Sequence, residues 1–421
     1  MHDLSHRLIT VLFILSSSTE TPSPSDIAAR LHDISELCDN GKFSDAEHLC
    51  TLLLTHFPEA WSLNYNLGLI LFHQNRYEEA INYYQKALAH DHTDSDLLFN
   101  YALCLSASGR LEDAVTIYKQ AHMHSPDDVD ICYNLAGCYH RLTILEKSRH
   151  WYEQVLRLNP NHASGLKNLG IVLLKLNDTI SAHTCFTRLL ALDPGDEGAR
   201  HMVDALEGNV RQAAPAGYIK ELFDDYAPHY EASMAEKLSY QVPVLLQVYL
   251  KQYVRFKRPL ILDLGCGSGI IGQIVRQLYQ CRLIGVDLSA RMVELAALKN
   301  VYDQLIVAEI ADFLRSTQSN HFDLIIAADV FNYVGALDTV LAEARRVSKT
   351  DGMLFFTVEH GIDQQADICL ATTARFQHSM PYLHRVCELS GWQIEALDKV
   401  DLRLQGGTWV AGLMGVCTSV N

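Results

Sequence analysis

Two hydrophobic rhythms divide this chain. Before residue 207 the pattern of apolar and small positions repeats every 34 residues, whereas beyond 217 short apolar runs alternate with helical stretches. Four columns carry the repeat. Small side chains stand at Ala46, Ala80, Ala114, Ser148 and Ala182. Aromatic ones stand at Tyr84, Tyr118, Tyr152 and Phe186, with Cys50 in the first copy. Prolines stand at Pro58, Pro126, Pro160 and Pro194, with His92 in the missing slot. The fourth column is a pair: Leu67-Gly68, Tyr101-Ala102, Leu135-Ala136 and Leu169-Gly170. Such spacing predicts units of two antiparallel helices. Small residues let the backbones approach, the aromatic fills the next layer, and proline ends the second helix. Five units fit without a gap from 27 to 196, and 197–206 reads as a closing helix. The first unit is the weakest, with Asp33-Ile34 in the paired slot, as suits a terminal repeat that caps the stack.

These columns resemble the tetratricopeptide repeat family. One further column bears on function. Asn66, Asn100, Asn134 and Asn168 precede the pair in four consecutive units, on the first helix and facing the concave side. Asparagine is a poor helix former, so propensity alone does not select it four times. Its amide offers donors and an acceptor and matches a peptide backbone. In related arrays a ladder of this kind grips an extended polypeptide, so the resemblance implies a protein or peptide segment in the groove. The alternative is that the amides bond neighbouring helices within the array.

Residues 208–217, GNVRQAAPAG, are rich in small side chains and lack a hydrophobic period. They read as a linker between the repeats with their capping helix (27–207) and a second domain (218–421). In that domain strands are predicted at 260–264, 283–286, 305–308, 324–328, 353–358, 393–397 and 409–416, and helices at 270–280, 290–299, 336–347 and 381–389. The last two strands form a hairpin around Gly406-Gly407. Alternation of this kind predicts an α/β sheet.

The strongest chemical signal is Asp263-Leu-Gly265-Cys-Gly267-Ser-Gly269, which follows an apolar strand and opens a helix. Glycines there allow a tight turn and let a ligand lie against the backbone. A dinucleotide loop would want its third glycine at Ile270, and this chain has it at Gly269. Asp287 closes the second strand and can accept hydrogen bonds from ribose hydroxyls; Leu288 follows it. Glu309 closes the third strand, and Ile310 can pack on a purine ring. Asp329, Phe331 and Tyr333 end the fourth strand in FDLIIAADVFNYV.

Residues 218–421 resemble the class I methyltransferase superfamily, and together with the repeats a bacterial family of tetratricopeptide-containing methyltransferases. The resemblance rests on ELFDDYAPHYEASM, LSYQVP, ILDLGCGSG, AADVFNYV, FFTVEH, RFQHSMPYL and the final hairpin. It implies an all-helical superhelix followed by a Rossmann-like sheet of seven strands, and S-adenosyl-L-methionine as cofactor. Asp263 would reach the methionine amino group, Asp287 the ribose, and Glu309, where the family usually has aspartate, the adenine. Asp329, Phe331 and Tyr333 would face the methyl group.

Phe223, Tyr226 and Tyr230 fall at helical spacing on one face, either of an amphipathic helix on the sheet edge or of a lid in which Tyr226 or Tyr230 borders the methyl group. Tyr240 is a similar candidate. Glu359-His360 and, before the last helix, Arg375, His378, Ser379 and Tyr382 gather near the acceptor side, with Arg403 in the terminal hairpin. His378 is the candidate general base, since an imidazole titrates near neutral pH; its other reading is a helix-start histidine bonded to backbone. Arg375 and Arg403 could clamp a carboxylate, or be solvated surface residues. The acceptor expected is protein-borne, or alternatively the carboxyl group of a small or carrier-bound acid. A further alternative is a scaffold whose cofactor domain is not catalytic.

Composition narrows this little. Most of the net charge of −16 falls before Glu207, and an acidic surface disfavours nucleic acid. Eleven cysteines without CxxC or zinc spacing predict free thiols, no metal and a reducing cytoplasm. Within 1–26, the apolar run Leu8 to Leu15 after Arg7 is too short to span a bilayer. It reads as a frayed helix, with a signal peptide as the alternative. No membrane association is expected.

Overall fold

The computed structural model describes residues 24–89, 93–227, 230–234, 238–361 and 366–420; the expectations placed on 1–23 and on His92 lie outside them. Contacts divide the chain into two compact units, Met1–Arg188 and Leu189–Asn421.

The first unit is built from antiparallel helix pairs: α1 (Pro24–Asp39) with α2 (Phe43–His56), α3 (Trp61–His73) with α4 (Tyr77–Leu88), α5 (Ser95–Ala107) with α6 (Leu111–His124), α7 (Val129–Arg141) with α8 (Leu145–Leu158), and α9 (Ala163–Lys175) with α10 (Thr179–Leu192). Close packing explains the paired column. A Cβ on Gly68 would stand 2.9 Å from the Tyr84 ring, and one on Gly170 2.7 Å from Phe186. A column that the sequence reading missed sits in the turn within each pair. Gly41, Asn75, Gly109, Thr143 and Asn177 all adopt positive φ, between 59° and 88°. Glycine and asparagine take that conformation readily, whereas β-branched Thr143 is strained there. Asp94, Asp128 and His162, again 34 apart, cap α5, α7 and α9 by accepting from backbone N–H groups.

The second unit opens with α11 (Glu197–Glu207), α12 (Ala216–Tyr226), the short turn α13 (Tyr230–Ala232) and α14 (Val242–Tyr253). Then follow β1 (Leu260–Leu264), α15 (Ile270–Leu278), β2 (Arg282–Asp287), α16 (Ala290–Leu298), β3 (Gln304–Val307), α17 (Ile310–Ser316), β4 (Phe322–Ala327), α18 (Asp338–Val347) and β5 (Ser348–Glu359). The chain ends with β6 (Ile368–Leu370), β7 (Phe376–His378), α19 (Met380–Leu389), β8 (Trp392–Gln405) and β9 (Thr408–Ser419).

The main sheet runs β3-β2-β1-β4-β5-β9-β8, with β3 through β5 parallel and β9 antiparallel to both neighbours. Seven strands in a Rossmann-like sheet are what the resemblance implies. Its inner strands alternate between two cores. Ile261, Leu283, Leu324 and Ile326 pack with Leu246 and Leu250 of α14 and Val275 of α15, while Leu262, Leu264 and Val286 pack with Leu341 of α18 and Leu383 of α19. β6 and β7 form a small hairpin joined to the end of β5 through Glu359 and Gln377.

The 208–217 stretch is built into this second unit, and it groups there with α11. Ala213 bridges Val334 antiparallel. Gln212 O accepts from Gly335 N at 2.8 Å and Ala336 N at 3.0 Å, and Ala214 N donates to Tyr333 O at 3.0 Å. Buried His201 of α11 donates Nε2–H to Ala374 O at 3.0 Å. Such backbone pairing needs no hydrophobic period, so composition alone reads the stretch as a tether.

Candidate cofactor and acceptor site

The loop after β1 is shaped by its glycines. Gly265, Gly267 and Gly269 take φ of 66°, 52° and 88°, in the left-handed region. A Cβ on Gly265 would lie 2.2 Å from Val330 Cγ2, so that position tolerates no side chain. Gly269 then starts α15.

Asp263, at the end of β1, is 1% exposed. Its Oδ2 accepts from the Tyr302 hydroxyl at 2.7 Å, and its Oδ1 has no partner. Burial pushes its pKa up to about 7, against the stabilising Tyr302 hydrogen bond. Among the described residues no cation pairs with it, so Oδ1 is an unpaired buried acceptor at the end of the strand that leads into the glycine loop. That is the chemistry a ligand ammonium group would complete. The donor set therefore fits the amino-acid tail of the expected cofactor.

Asp287 ends β2 with both oxygens anchored. Oδ2 accepts from Gly267 N at 2.8 Å and Oδ1 from Ser289 N at 2.9 Å. Burial raises its pKa while these bonds lower it. The same acid thus fixes the glycine loop and, through its remaining lone pairs, can meet hydroxyls. Leu288 and Ile310 are half-buried beside the strand ends. Glu309 is already used: it caps α17, accepting from Asp312 N at 2.9 Å through Oε2. Contact with an adenine would fall to its other oxygen.

Beyond β4 and β5 lies a charged network. Asp329 takes φ 58° and donates its N–H to Thr357 Oγ1 at 2.8 Å. Glu359 is 2% exposed and is bonded by Arg403 Nη2, while Arg403 Nη1 reaches Asp329 Oδ2 at 3.5 Å. Arg375 stands 3.5 Å from Glu359 Oε1 and donates Nε–H to the Tyr333 hydroxyl at 3.2 Å. Asn332 links the acids: its Nδ2 donates to Asp329 Oδ1, and its Oδ1 accepts from Glu359 N. Arg403 is therefore no surface residue, whereas the Arg375 side chain keeps 28% exposure.

An aromatic group covers this region. Phe223 meets Tyr333 edge-on at 5.5 Å and Tyr230 at 6.5 Å, and Tyr226 meets Tyr230 at 5.5 Å. The rings come together as the spacing suggested, though from two pieces: α12 stops at Tyr226, two residues before Pro228. Asp224 ties α12 down, since Ser289 Oγ donates to its carboxylate at 2.5 Å and Arg291 to its backbone O at 3.0 Å. Tyr240 is raised in pKa by burial and lies within the field of Asp329, Tyr230 and Arg403.

Two expected site residues belong to the core instead. His378 is fully buried, donates Nε2–H to Gly335 O at 2.8 Å and stacks on Tyr382. Burial pushes its pKa down to about 4, so it is a structural histidine and not the general base. Phe331 is fully buried against Phe356 and does not face the site. Conversely, the residue-by-residue reading passed over Tyr302, Asn332 and Asp224. Asn332 and Asp224 lie inside stretches that carry the resemblance, but no motif flags Tyr302.

The asparagine ladder is partly consumed inside the array. Asn100 Nδ2 donates to the Tyr65 hydroxyl at 2.7 Å and Asn168 Nδ2 to the Tyr133 hydroxyl at 2.9 Å, each across one repeat. The residue 35 positions before Asn134, the separation of the two tyrosine contacts, is Phe99, which offers no hydroxyl, and Asn134 turns to Asp130 O of its own helix at 2.9 Å. Asn66 is buried, with Oδ1 unpartnered. Two of the four amides thus have the internal role held open as the alternative.

Among the described residues no helix is long and apolar enough to cross a membrane.

Comparison with known proteins agrees with this geometry. Residues 262–356 match a methyltransferase domain family, and 63–94, 83–116 and 105–151 match tetratricopeptide repeat families. A malonyl-[acyl-carrier protein] O-methyltransferase of Legionella pneumophila is 34% identical over 110 residues, covering 25% of this chain and 38% of that protein. One from Priestia megaterium is 30% identical over 161 residues, covering 36% and 55%. This chain therefore spans between 38% and 55% of the length of these two relatives. Among solved structures, a SAM-dependent methyltransferase from Methanosarcina mazei is 18% identical, with a TM-score of 0.35 over 41% of this chain and 97% of that one. The chain carries a class I methyltransferase domain, of the kind that uses S-adenosylmethionine, C-terminal to an array of tetratricopeptide repeats.

Proposed function

We propose that the chain transfers a methyl group from S-adenosylmethionine to an acceptor borne by a protein, which the repeat array recruits. The observation that carries the cofactor half is the unpartnered Asp263 Oδ1 beside three positive-φ glycines. Asp263 would hold the ammonium group, Asp287 the ribose, and Leu288, Glu309 and Ile310 the adenine side. The cofactor supplies an activated methyl group on a sulfonium. The protein's part is then to orient the acceptor and exclude water, which can be worth ~7–11 kcal/mol. Phe223, Tyr226 and Tyr230 would close over the reacting atoms, with Asp329, Tyr333 and Arg375 below them.

Within that reading the acceptor atom is a carboxylate oxygen. Such an oxygen carries no proton, so the burial of His378 removes nothing the reaction needs. Arg375 retains exposed surface with which to orient an acid. The activity named for these relatives points the same way. The array contributes docking for the carrier, with Asn134 as a rung whose amide bonds only its own helix.

Incubating the intact chain with methyl-labelled cofactor and a lysate split into protein, RNA and small-molecule fractions tests this. Base-labile label in the protein fraction is expected. Label confined to small molecules would retire the docking claim, and label in no fraction would retire the activity.

A further inference from the structure

The cofactor-side carboxylate has a companion that no motif contains. Tyr302 lies in the loop between α16 and β3, far from the glycine loop in sequence, yet its hydroxyl donates to Asp263 Oδ2 at 2.7 Å. The ring occupies a slot made by absent side chains. A Cβ would stand 2.4 Å from the Tyr302 hydroxyl if placed on Gly272, 2.8 Å from its ring on Gly285, and 3.1 Å on Gly269. Three glycines from α15, β2 and the loop thus admit one aromatic ring. A ring that only filled space would serve as phenylalanine, and here the hydroxyl ends on a buried carboxylate that has no ion pair among the described residues.

Resting on the cofactor reading above, we propose that Tyr302 is a positioning residue: its hydroxyl holds Asp263 ionised and turned so that Oδ1 receives the cofactor's ammonium group. The geometry supplies the reason. Asp263 is sealed from water, and a carboxylate there needs donors to stay charged. The ionisable groups in its field are Tyr302, Asp287 and Cys266. Asp287 is a like charge that opposes ionisation, and burial raises the Cys266 thiol, which therefore stays neutral. Tyr302 alone favours the charged form. Binding of a cation at Oδ1 then couples to the Asp263 proton, and that coupling runs through the Tyr302 hydroxyl.

The test is equilibrium dialysis of the full chain with labelled S-adenosylmethionine from pH 6 to 9, comparing wild type with Tyr302→Phe. The wild type is expected to bind more weakly as pH falls through about 7, where Asp263 gains its proton. Removing the hydroxyl should shift that midpoint upward by about one unit, weakening binding about fivefold at pH 7 and little at pH 9. A readout without cofactor guards against misfolding. The infrared carbonyl band of the protonated carboxyl, identified by its loss in Asp263→Asn, should persist to higher pH in Tyr302→Phe. A variant with the wild-type profile in both measurements overturns the proposal, and so does a loss of affinity equal at every pH, which would mark Tyr302 as packing only. A wild type that binds no cofactor at any pH while its carboxyl band titrates normally would overturn the cofactor reading, and the proposal with it.

Discussion

Asp263 and Glu359 end neighbouring regions of one sheet, are equally buried, and are treated in opposite ways. Glu359 is held by Arg403, faced by Arg375, and fixed at its backbone by Asn332. Asp263 has a tyrosine on one oxygen and nothing on the other. The region beyond β4 and β5 thus balances its own charges, with two arginines against Glu359 and Asp329. At the glycine loop, Asp263 has no ion pair among the described residues. The difference teaches where the fold completes its own electrostatics and where it leaves that to a ligand.

The contrast can be broken most forcefully at Arg403. Arg403→Met leaves Glu359 and Asp329 without their buried partner and should cost about 3–5 kcal/mol in urea unfolding. A loss under about 1 kcal/mol would mean the network is solvated and the contrast false.

Asp263 predicts the opposite sign. Burial raises its folded pKa to about 7, whereas the unfolded carboxyl titrates near 4. Between those values the folded chain keeps a proton that the unfolded chain has released. The group's contribution is therefore full below pH 4 and is lost as pH rises through about 7. Asp263→Asn should then stabilise the cofactor-free chain at pH 8, by roughly 1–3 kcal/mol, with little gain at pH 5. Thermal melts at the two pH values check this; equal shifts would show that Asp263 is not buried as a charge.

A smaller effect extends the comparison to the repeats. Asn100→Ala removes a strut to Tyr65 and should cost about 1 kcal/mol, whereas Asn134→Ala should cost less and weaken capture of the protein partner. Denaturation and pull-down of both variants separate the roles, and identical stability losses would contradict the division.

Much of this was legible in the sequence. The 34-residue columns and the seven main strands are periodic, so each position is reinforced by others. The DLGCGSG loop and the acid closing β2 announce themselves by spacing. The missing parts depend on contacts that periodicity does not carry. β6 and β7 have three residues each, too few to show alternation, and α17 is a single capped turn and a half. His378 stands just before a helix, a position shared by catalytic and structural histidines; only the Gly335 carbonyl bonded to it decides. Tyr302 becomes meaningful only when three glycines from different elements are seen around its ring. In the ladder the deciding feature lies 35 residues before the amide: Tyr65 and Tyr133 engage Asn100 and Asn168, whereas Phe99 leaves Asn134 to its own helix.

The central claim is that the loop after β1, with Asp263 and Asp287, is a cofactor site. Isothermal titration of the intact chain with S-adenosylmethionine at pH 8 tests it most directly, alongside Gly267→Leu and Asp287→Ala. One cofactor should bind per wild-type chain and none measurably to either variant, while circular dichroism shows the helical array intact in all three. Absence of binding to the wild type, or equal affinity in all three proteins, would contradict the account.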